Sequence, residues 1–241
     1  MSKDASAQAL RALSQFVVSK SSMGETLLRV SEITTDALPA ANMAGISLLG
    51  EHGRPTTGVF TDPEAPEIDA AQYESGRGPC LDSWRTRTVI RLTDMGSAAS
   101  SYPEFAAAAL AHGVGSSLSL PLMAGDEAIG ALNLYARAPN DFTDEDESAG
   151  TLLAGAAAIV LANASAYWQA TQLGEQLSQA MQSRAIIEQA KGILMARSPQ
   201  LSADEAFDLL RKASQRENVK LRDIAQRIVN RRGEPAARQL G

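Results

Sequence analysis

The side chains best suited to a chemical task in this sequence are basic, and they concentrate at its C-terminal end. Residues 184–241 carry 12 Lys and Arg against 7 Asp and Glu, a net charge of +5, whereas residues 1–183 carry 10 against 21, a net charge of −11. Guanidinium and ammonium groups bind phosphates, so the basic end favours a polyanionic partner. A solvated helix surface has the same composition, and charge alone does not decide between the two.

Residue types that catalyse reactions or bind metals are scarce. Cys80 is the only cysteine, and His52 and His112 are the only histidines. One cysteine excludes an intramolecular disulfide and a cysteine-based zinc site, and two distant histidines suggest no metal cluster. The sequence contains no P-loop, H-x-x-x-H or C-x-x-C motif, and two histidines do not assemble a Ser-His-Asp arrangement. We therefore predict that the protein is not an enzyme and binds no metal.

The stretch "IIEQAKGILMA", residues 186–196, has the apolar spacing of a helix but contains a glycine. Gly192 costs such a helix about 1 kcal/mol relative to alanine. Glycine permits close approach of another backbone, either a second helix or a nucleotide, and both explanations stay open. Lys191 cannot be buried cheaply in an apolar core. We expect it at the rim of the core, pointed at phosphate, with a plain surface lysine as the alternative.

Residues 184–232 are predicted to form three short helices that pack as a small bundle. The first helix ends at Ser198-Pro199, and Ser202 with Glu205 forms a capping box that begins the second. The apolar spacing of the second helix places Phe207, the only aromatic residue of this segment, in the core. Stacking on nucleic-acid bases would then fall to arginine or aliphatic side chains.

Residues 164–183 are predicted to continue a helix from the preceding segment, because no proline occurs between positions 155 and 197. Apolar residues recur there at alternating spacings of four and three, which indicates a coiled-coil seam and a homodimer. The residues of this seam are Leu173, Leu177 and Ala180. A solvent-exposed linker helix is the alternative. At the other end of the chain, residues 233–241 are predicted to be disordered.

Residues 1–163 alternate helix and strand signals, which predicts an α/β (α+β) fold. The stretch "VGSSLSLPLMAGDEAIGALNLYAR" predicts a hairpin that turns at Gly125-Asp126, and Thr143 begins a helix with acidic residues in its first turn. Aromatic and sulfur-containing residues beside the strands are candidates to line a ligand cavity, and core packing is the alternative for each. These candidates are Cys80, Trp84, Tyr102, Met123 and Tyr135.

The segment 183–229, "SRAIIEQAKGILMARSPQLSADEAFDLLRKASQRENVKLRDIAQRIV", resembles the ANTAR domain, the RNA-binding module of transcription antiterminators. The matching hallmarks are Ala190-Lys191-Gly192, Ala206-Phe207, Leu210-Arg211, Ala213 and Leu221. The resemblance implies a three-helix module that recognises RNA hairpins with six-nucleotide loops, usually two in tandem, and so competes with a terminator. The candidate RNA-binding residues are Arg184, Glu188, Gln189, Ala190, Lys191, Gly192, Arg211, Lys212 and Arg216.

Three of these candidates lie on the polar side of the second predicted helix, namely Arg211, Lys212 and Arg216. Their side chains can contact phosphates and stack guanidinium groups on unpaired loop bases, which is how proteins usually read single-stranded RNA. The alternative for Arg211 is an ion pair with Asp204 or Asp208 within its own helix.

Residues 10–163 resemble the GAF domain, a sensory fold. The stretches that carry the resemblance are "GRGPCLDSWRTRTVIRLTD", "SSLSLPL" and "AIGALNLYARAPNDFTDEDESAG", in the order typical of the family. The resemblance implies a central antiparallel sheet flanked by helices, with a pocket over one face. The ligand and any cofactor are unknown. GAF followed by ANTAR resembles bacterial regulators of the actinobacterial type, in which the state of the sensor would alter helix pairing and RNA affinity.

The sequence leaves two alternative functions, a DNA-binding regulator and an enzyme. A DNA-binding regulator with a GAF sensor is the main alternative, since "KLRDIAQRIVNRR" resembles part of a helix-turn-helix, although it lacks base-reading residues at its N-terminal end. A GAF-type methionine sulfoxide reductase needs several cysteines, and only Cys80 exists. The sequence shows no signal peptide and no run of about 18 apolar residues, so we expect a cytoplasmic protein without a membrane span.

Overall fold

The computed structural model describes residues 3–17, 21–49 and 54–230. The chain divides into two compact units, the first ending at Trp168 and the second beginning at Gln169. The tail predicted to be disordered, 233–241, lies outside the described residues, as does His52.

The first unit contains most of the helices and all of the described strands. In chain order these are α1 (Lys3–Ser14), α2 (Met23–Ala37), β1 (Met43–Leu49), β2 (Pro55–Phe60), α3 (Ala65–Ser75), α4 (Pro79–Thr86), β3 (Ile90–Leu92), α5 (Met95–Ala98), α6 (Pro103–Ala111), β4 (Ser116–Ala124), β5 (Glu127–Ala136) and the first part of α7 (Asp144–Arg197). The predicted hairpin is confirmed, because β4 and β5 pair on either side of Gly125-Asp126.

The strands form one antiparallel sheet in the order β2-β1-β5-β4-β3. Side chains alternate between its faces, as the strand geometry requires. Leu118, Leu120 and Leu122 of β4 belong to the main core, together with apolar residues of α1, α2 and α7. A Cβ atom at Gly150 would lie 2.9 Å from Leu120 Cδ1, so α7 approaches this face closely. Helices α3 to α6 cover the opposite face with smaller apolar clusters.

Helix α7 begins with a cap and runs without interruption into the second unit. The Thr143 hydroxyl accepts a hydrogen bond from the Asp146 amide at 3.2 Å, and the Asp146 carboxylate accepts one from the Thr143 amide at 3.0 Å. This reciprocal pair satisfies free amides at the helix start. The helix contains 54 residues, so the prediction that it continues through 164–183 is confirmed.

The second unit contains the end of α7, then α8 (Ala203–Glu217) and α9 (Leu221–Asn230). The predicted capping box is present, with the Ser202 amide 2.9 Å from a Glu205 carboxylate oxygen. Ala190, Leu210 and Ala225 are fully or nearly fully buried at the centre of this bundle. One prediction is wrong. Phe207 is 38% exposed and lies outside this core.

Helix α7 is long and apolar enough to cross a membrane by length and composition alone. Half of its most apolar window is buried inside the protein, in the part that packs on the sheet. The core helix of a soluble domain has the same properties, so this helix is weak evidence for a membrane span.

Candidate functional site

Lys191 lies at the rim of the second unit's core, as expected, but it is not free. Its ammonium nitrogen lies 2.9 and 3.0 Å from the two carboxylate oxygens of Glu188, one turn earlier on α7. The Lys191 side chain is only 15% exposed, whereas that of Glu188 is 57% exposed. The carboxylate therefore shields the lysine from solvent and would compete with a phosphate for it.

Gly192 faces open space rather than a second helix. A Cβ atom built at this position meets nothing within 4 Å. Of the two explanations for this glycine, close packing of another helix in the described chain is therefore excluded. Gly192 instead lines an open groove of about 480 Å³. The groove is lined by Gln189, Gly192, Ile193, Ala196, Arg197 and Val229.

The remaining basic candidates divide into paired and unpaired side chains. Arg211 pairs with Asp208 at 2.8 Å, which is one of the two partners considered from the sequence, and Arg216 lies 3.4 Å from Glu217. Both Arg side chains are more than half exposed, and such surface pairs contribute little stability. Arg184 and Lys212 are exposed and form no ion pair with any described residue. Ala190, by contrast, is buried in the bundle core.

Phe207 is the residue of this unit that the sequence analysis misplaced. At 3.6 residues per turn, Phe207 lies about 90° around α8 from the face centred on Ala206, Leu210 and Ala213, so its ring stands at the edge of that face and is partly open to solvent. Arg211 follows four residues later, so the two side chains are neighbours on one face of α8. The sequence contains enough information to predict this, since the face centred on Ala206, Leu210 and Ala213 fills the bundle core without Phe207.

In the first unit, the five candidate pocket residues do not form one group. Cys80 and Trp84 share a small apolar cluster, and the Trp84 indole donates a hydrogen bond of 2.7 Å to the Ala128 carbonyl. Tyr102 and Tyr135 belong to a different cluster. Met123 is half-buried and pairs with Ala128 across the hairpin.

A buried carboxylate that no sequence pattern reveals lies between these clusters. Asp69 of α3 is fully buried and accepts hydrogen bonds from the Tyr135 hydroxyl, from Gln72 Nε2 at 2.6 Å and from Asn133 Nδ2 at 3.2 Å. Burial raises the pKa of the Asp69 carboxyl from 3.8 to about 6, although hydrogen bonding to Tyr135, Asn133, Gln72 and Ser47 lowers it. No pattern in the sequence distinguishes Asp69 from the exposed acids of the same helix.

Cys80 lies beside this carboxylate and is an inert thiol. Its Sγ atom is 3.6 Å from the Tyr73 hydroxyl. Burial, and secondly the charge of Asp69, raise the pKa of the thiol to about 12. The reactive form of cysteine is the thiolate, so Cys80 does not react readily at neutral pH. In the described part of the chain, no group of three His, Cys, Asp or Glu side chains is placed to hold a metal ion.

Comparison with protein-family models gives two matches. A GAF domain model matches residues 20–162, more than half of the 241 residues. The chain belongs to the GAF domain family. An ANTAR domain model matches residues 175–229, which include every candidate RNA-binding residue. A GAF domain is a sensor and an ANTAR domain is an RNA-binding antitermination module. The pair indicates a sensor-linked regulator rather than an enzyme, and both domains are typical of soluble cytoplasmic proteins.

Solved structures are also similar to this chain. Free methionine-R-sulfoxide reductase from Neisseria meningitidis is 17% identical with a TM-score of 0.51, and the match covers 69% of this chain and 95% of that one. The GAF domain of an Acinetobacter phosphoenolpyruvate-protein phosphotransferase is 18% identical with a TM-score of 0.49, covering 69% of this chain and 97% of that one. At 17% identity, the similarity to the Neisseria meningitidis structure shows the fold alone. The comparison with curated proteins gives no match.

Proposed function

We propose that the protein is a signal-responsive RNA-binding regulator that acts by transcription antitermination on tandem RNA hairpins. The ANTAR match and the basic end of the chain both favour RNA as the partner. The observation that carries the proposal is the exposed ring of Phe207, four residues before the exposed Arg211 on α8. An exposed aromatic ring next to a guanidinium group offers stacking surface to an unpaired base.

In this proposal the basic residues bind RNA in two ways, depending on whether each forms an ion pair in the free protein. Arg184 and Lys212 bind phosphates directly, because neither has to leave an acidic partner among the described residues. Lys191 and Arg211 exchange Glu188 and Asp208 for RNA, while Arg216 exchanges Glu217. For Arg211 and Arg216 the exchange costs little, because exposed ion pairs contribute about 1 kcal/mol or less. The Lys191 side chain is largely buried, so solvent screens its pair with Glu188 less. Phosphate contacts set the position of the RNA, and stacking selects unpaired loops over duplex.

The open surface at Gly192 fits the same role. A glycine that costs helix stability and meets no neighbour leaves room for a backbone from outside the described chain. Gln189 lines the same groove and presents both a hydrogen-bond donor and an acceptor to a nucleotide. We therefore assign the close approach at Gly192 to a nucleotide.

Two ANTAR modules would reach two hairpins through a homodimer. Leu173 and Leu177 of α7 are 67% and 61% exposed, and Ala180 is also exposed. A partner helix that covers these side chains removes apolar surface from water, which favours pairing. Leu152 and Ile159, seven residues apart and both exposed, continue the same spacing toward the N-terminal end of α7.

The GAF domain would supply the signal as a small molecule held over the sheet. We place the sensor at residues 1–163, the pairing helix at 164–183 and the RNA-binding module at 184–232. A ligand that binds one pairing state of α7 better than another shifts the dimer toward that state and so changes RNA affinity.

A termination assay tests this function. The template carries tandem hairpins with six-nucleotide loops upstream of an intrinsic terminator, and read-through by RNA polymerase is measured as full-length protein is added. We expect read-through to rise with protein concentration, and to stay at the basal level when the loop sequences are scrambled. Protein that binds the hairpins without changing read-through would contradict antitermination.

A further inference from the structure

The inner part of the sheet face under α3 is built from small residues on three neighbouring strands. Ser47 of β1 lies opposite two other small residues, Gly58 of β2 and Ala131 of β5. Gly45 of β1 lies between two larger ones, Phe60 of β2 and Asn133 of β5. Residues that lie opposite one another across a sheet share a face. Small side chains on this face leave volume above the sheet that other groups must fill.

The groups that fill it are mostly hydrogen-bond acceptors. Asp69 Oδ1 accepts bonds from Tyr135 and Gln72, but Oδ2 accepts only a bond of 3.2 Å from Asn133 Nδ2. Asn133 Oδ1 is buried and has no hydrogen-bond partner among the described residues. Ser47 Oγ is also buried, and its hydroxyl faces Asp69 closely enough to lower the pKa of that carboxyl, which leaves its own lone pairs free to accept. We call Asp69, Asn133 and Ser47 the acceptor cluster. A carboxylate has about four lone-pair sites, so the cluster has unused accepting capacity at three atoms.

The charge of this cluster is uncompensated. Every donor to Asp69 is neutral, and no described residue forms an ion pair with it. The titratable groups that face it are Tyr73, Cys80 and Tyr135, all kept protonated because burial raises their pKa values. A buried carboxylate without a cation is costly. A cationic partner would remove that cost, whereas an anion would increase it.

An aromatic ring stands between the acceptor cluster and the surface. A Cβ atom at Gly45 would lie 2.5 Å from Phe60 Cδ1 and 3.6 Å from Asp69 Oδ2. The ring of Phe60 therefore occupies the space that the missing side chain leaves, next to the under-used carboxylate oxygen. Phe60 is half-buried, so part of its ring reaches the surface while its inner edge lies beside the carboxylate. The face of an aromatic ring also attracts cations.

We propose that the acceptor cluster is the binding site for a small organic cation, such as an alkylammonium, with the ring of Phe60 as its cover. The ammonium group donates to Asp69 Oδ2, Asn133 Oδ1 and Ser47 Oγ, and the alkyl part packs against the ring. The class of ligand rests on the proposed sensor function of the GAF domain. It also explains why a buried carboxylate is surrounded by neutral hydrogen-bonding groups alone.

The test is thermal unfolding of the full-length protein with matched probes. n-Butylammonium and 1,4-diaminobutane are compared with butanol, butyrate and potassium chloride at equal ionic strength. We expect a saturable rise in the unfolding temperature with the organic cations alone. In Asp69→Asn the apparent affinity for them should fall at least tenfold, whereas Glu74→Gln, an exposed carboxylate on the same helix, should match the natural protein.

A second measurement uses the natural protein and needs no variant. In the natural protein, affinity for n-butylammonium should be about tenfold weaker at pH 5 than at pH 7.5, because the carboxyl, with a pKa of about 6, is mostly protonated at pH 5. Equal affinity at both pH values would overturn the proposal. Stabilisation by butanol or butyrate but not by cations would also overturn the ligand class. RNA titration without any probe tests the regulator function separately, so the two failures are distinguishable.

Discussion

Glu188 holds the ammonium group of Lys191 at 2.9 and 3.0 Å, so the lysine at the centre of the ANTAR hallmark is covered by a carboxylate. Glu188 is the more exposed partner, and an approaching phosphate meets its negative charge first. RNA binding at this point therefore requires the Glu188 side chain to move. Glu188 is one of the candidate RNA-binding residues, yet in this arrangement its carboxylate would oppose RNA binding.

Replacing Glu188 with glutamine should strengthen RNA binding by about fivefold or more, since the largely buried ammonium group of Lys191 loses a partner worth at least about 1 kcal/mol and the variant no longer repels phosphate. Fluorescence anisotropy with a labelled hairpin measures the affinity. Glu175→Gln removes the same charge from α7 outside the candidate surface and should leave the affinity nearly unchanged. Weaker binding by Glu188→Gln would mean that the carboxylate contacts RNA itself.

Phe207→Ala should weaken binding to the hairpin loops by about tenfold or more, because stacking on one base is worth about 1–3 kcal/mol. The fold should be barely affected, since the ring lies outside the bundle core. Phe207→Trp should retain binding. Leu209→Ala is the control, an exposed apolar side chain on the same helix, 48% exposed. If Phe207→Ala and Leu209→Ala lose the same RNA affinity, the Phe207 ring does not stack specifically on a base.

The apolar periodicity and the caps predicted most of this fold. The hairpin of β4 and β5, the long α7 and the box of Ser202 and Glu205 all depend on contacts close in sequence, so local rules suffice. Phe207 was misplaced because aromatic residues at near-helical spacing favour a core assignment, although Ala206 and Leu210 already fill that face. Asp69 was missed because its burial depends on Asn133 and Tyr135, more than 60 residues away in sequence.

Gly192→Ala should have opposite effects on stability and function. Alanine should stabilise α7 by about 0.5–1 kcal/mol, because the new methyl group meets nothing within 4 Å. RNA binding should weaken if a nucleotide occupies that space. Gly174→Ala is a matched control on the same helix, where a Cβ also meets nothing, and it should stabilise without changing RNA affinity. Chemical denaturation and anisotropy measure the two properties. Unchanged RNA affinity in Gly192→Ala would refute close approach by a nucleotide.

Asp69→Asn should stabilise the GAF domain in a pH-dependent way. The pKa of Asp69 is raised to about 6 in the folded protein, so the folded state binds more protons than the unfolded state between about pH 4 and 6. The contribution of this group to stability is therefore lost as pH rises through about 6. The advantage of the variant should grow from near zero at pH 4 to about 3 kcal/mol above pH 7.

Urea denaturation of both proteins across this range measures the difference, in which the other titrating groups cancel. The variant can keep its contacts, because rotation of the Asn133 amide would let the unpaired Oδ1 accept from the new amide group. Glu74→Gln, the exposed control, should show a difference that does not vary with pH. A constant difference for Asp69→Asn as well would mean that the carboxyl is not perturbed.

Leu173→Glu combined with Leu177→Glu should convert a dimer to a monomer, because repulsion replaces apolar contact along the paired helices. Light scattering after size-exclusion chromatography gives the mass. Both leucines are exposed in the single chain, so each domain should unfold as before. Gln172→Glu with Gln176→Glu adds the same charge beside the seam and should keep the dimer. A dimer that survives in the leucine variant would place the interface elsewhere, for example at Leu152 and Ile159.

The most direct test of the account is a titration of the full-length protein against three nucleic acids at two salt concentrations. These are a tandem-hairpin RNA with six-nucleotide loops, the same RNA with scrambled loops, and a DNA duplex. We expect preferential binding to the intact loops, with affinity that falls as salt rises because several phosphates are contacted. Residues 165–241 alone, tested in parallel, show whether the GAF domain restrains binding. Equal affinity for scrambled loops by both proteins, or a preference for duplex DNA, would contradict the central claim.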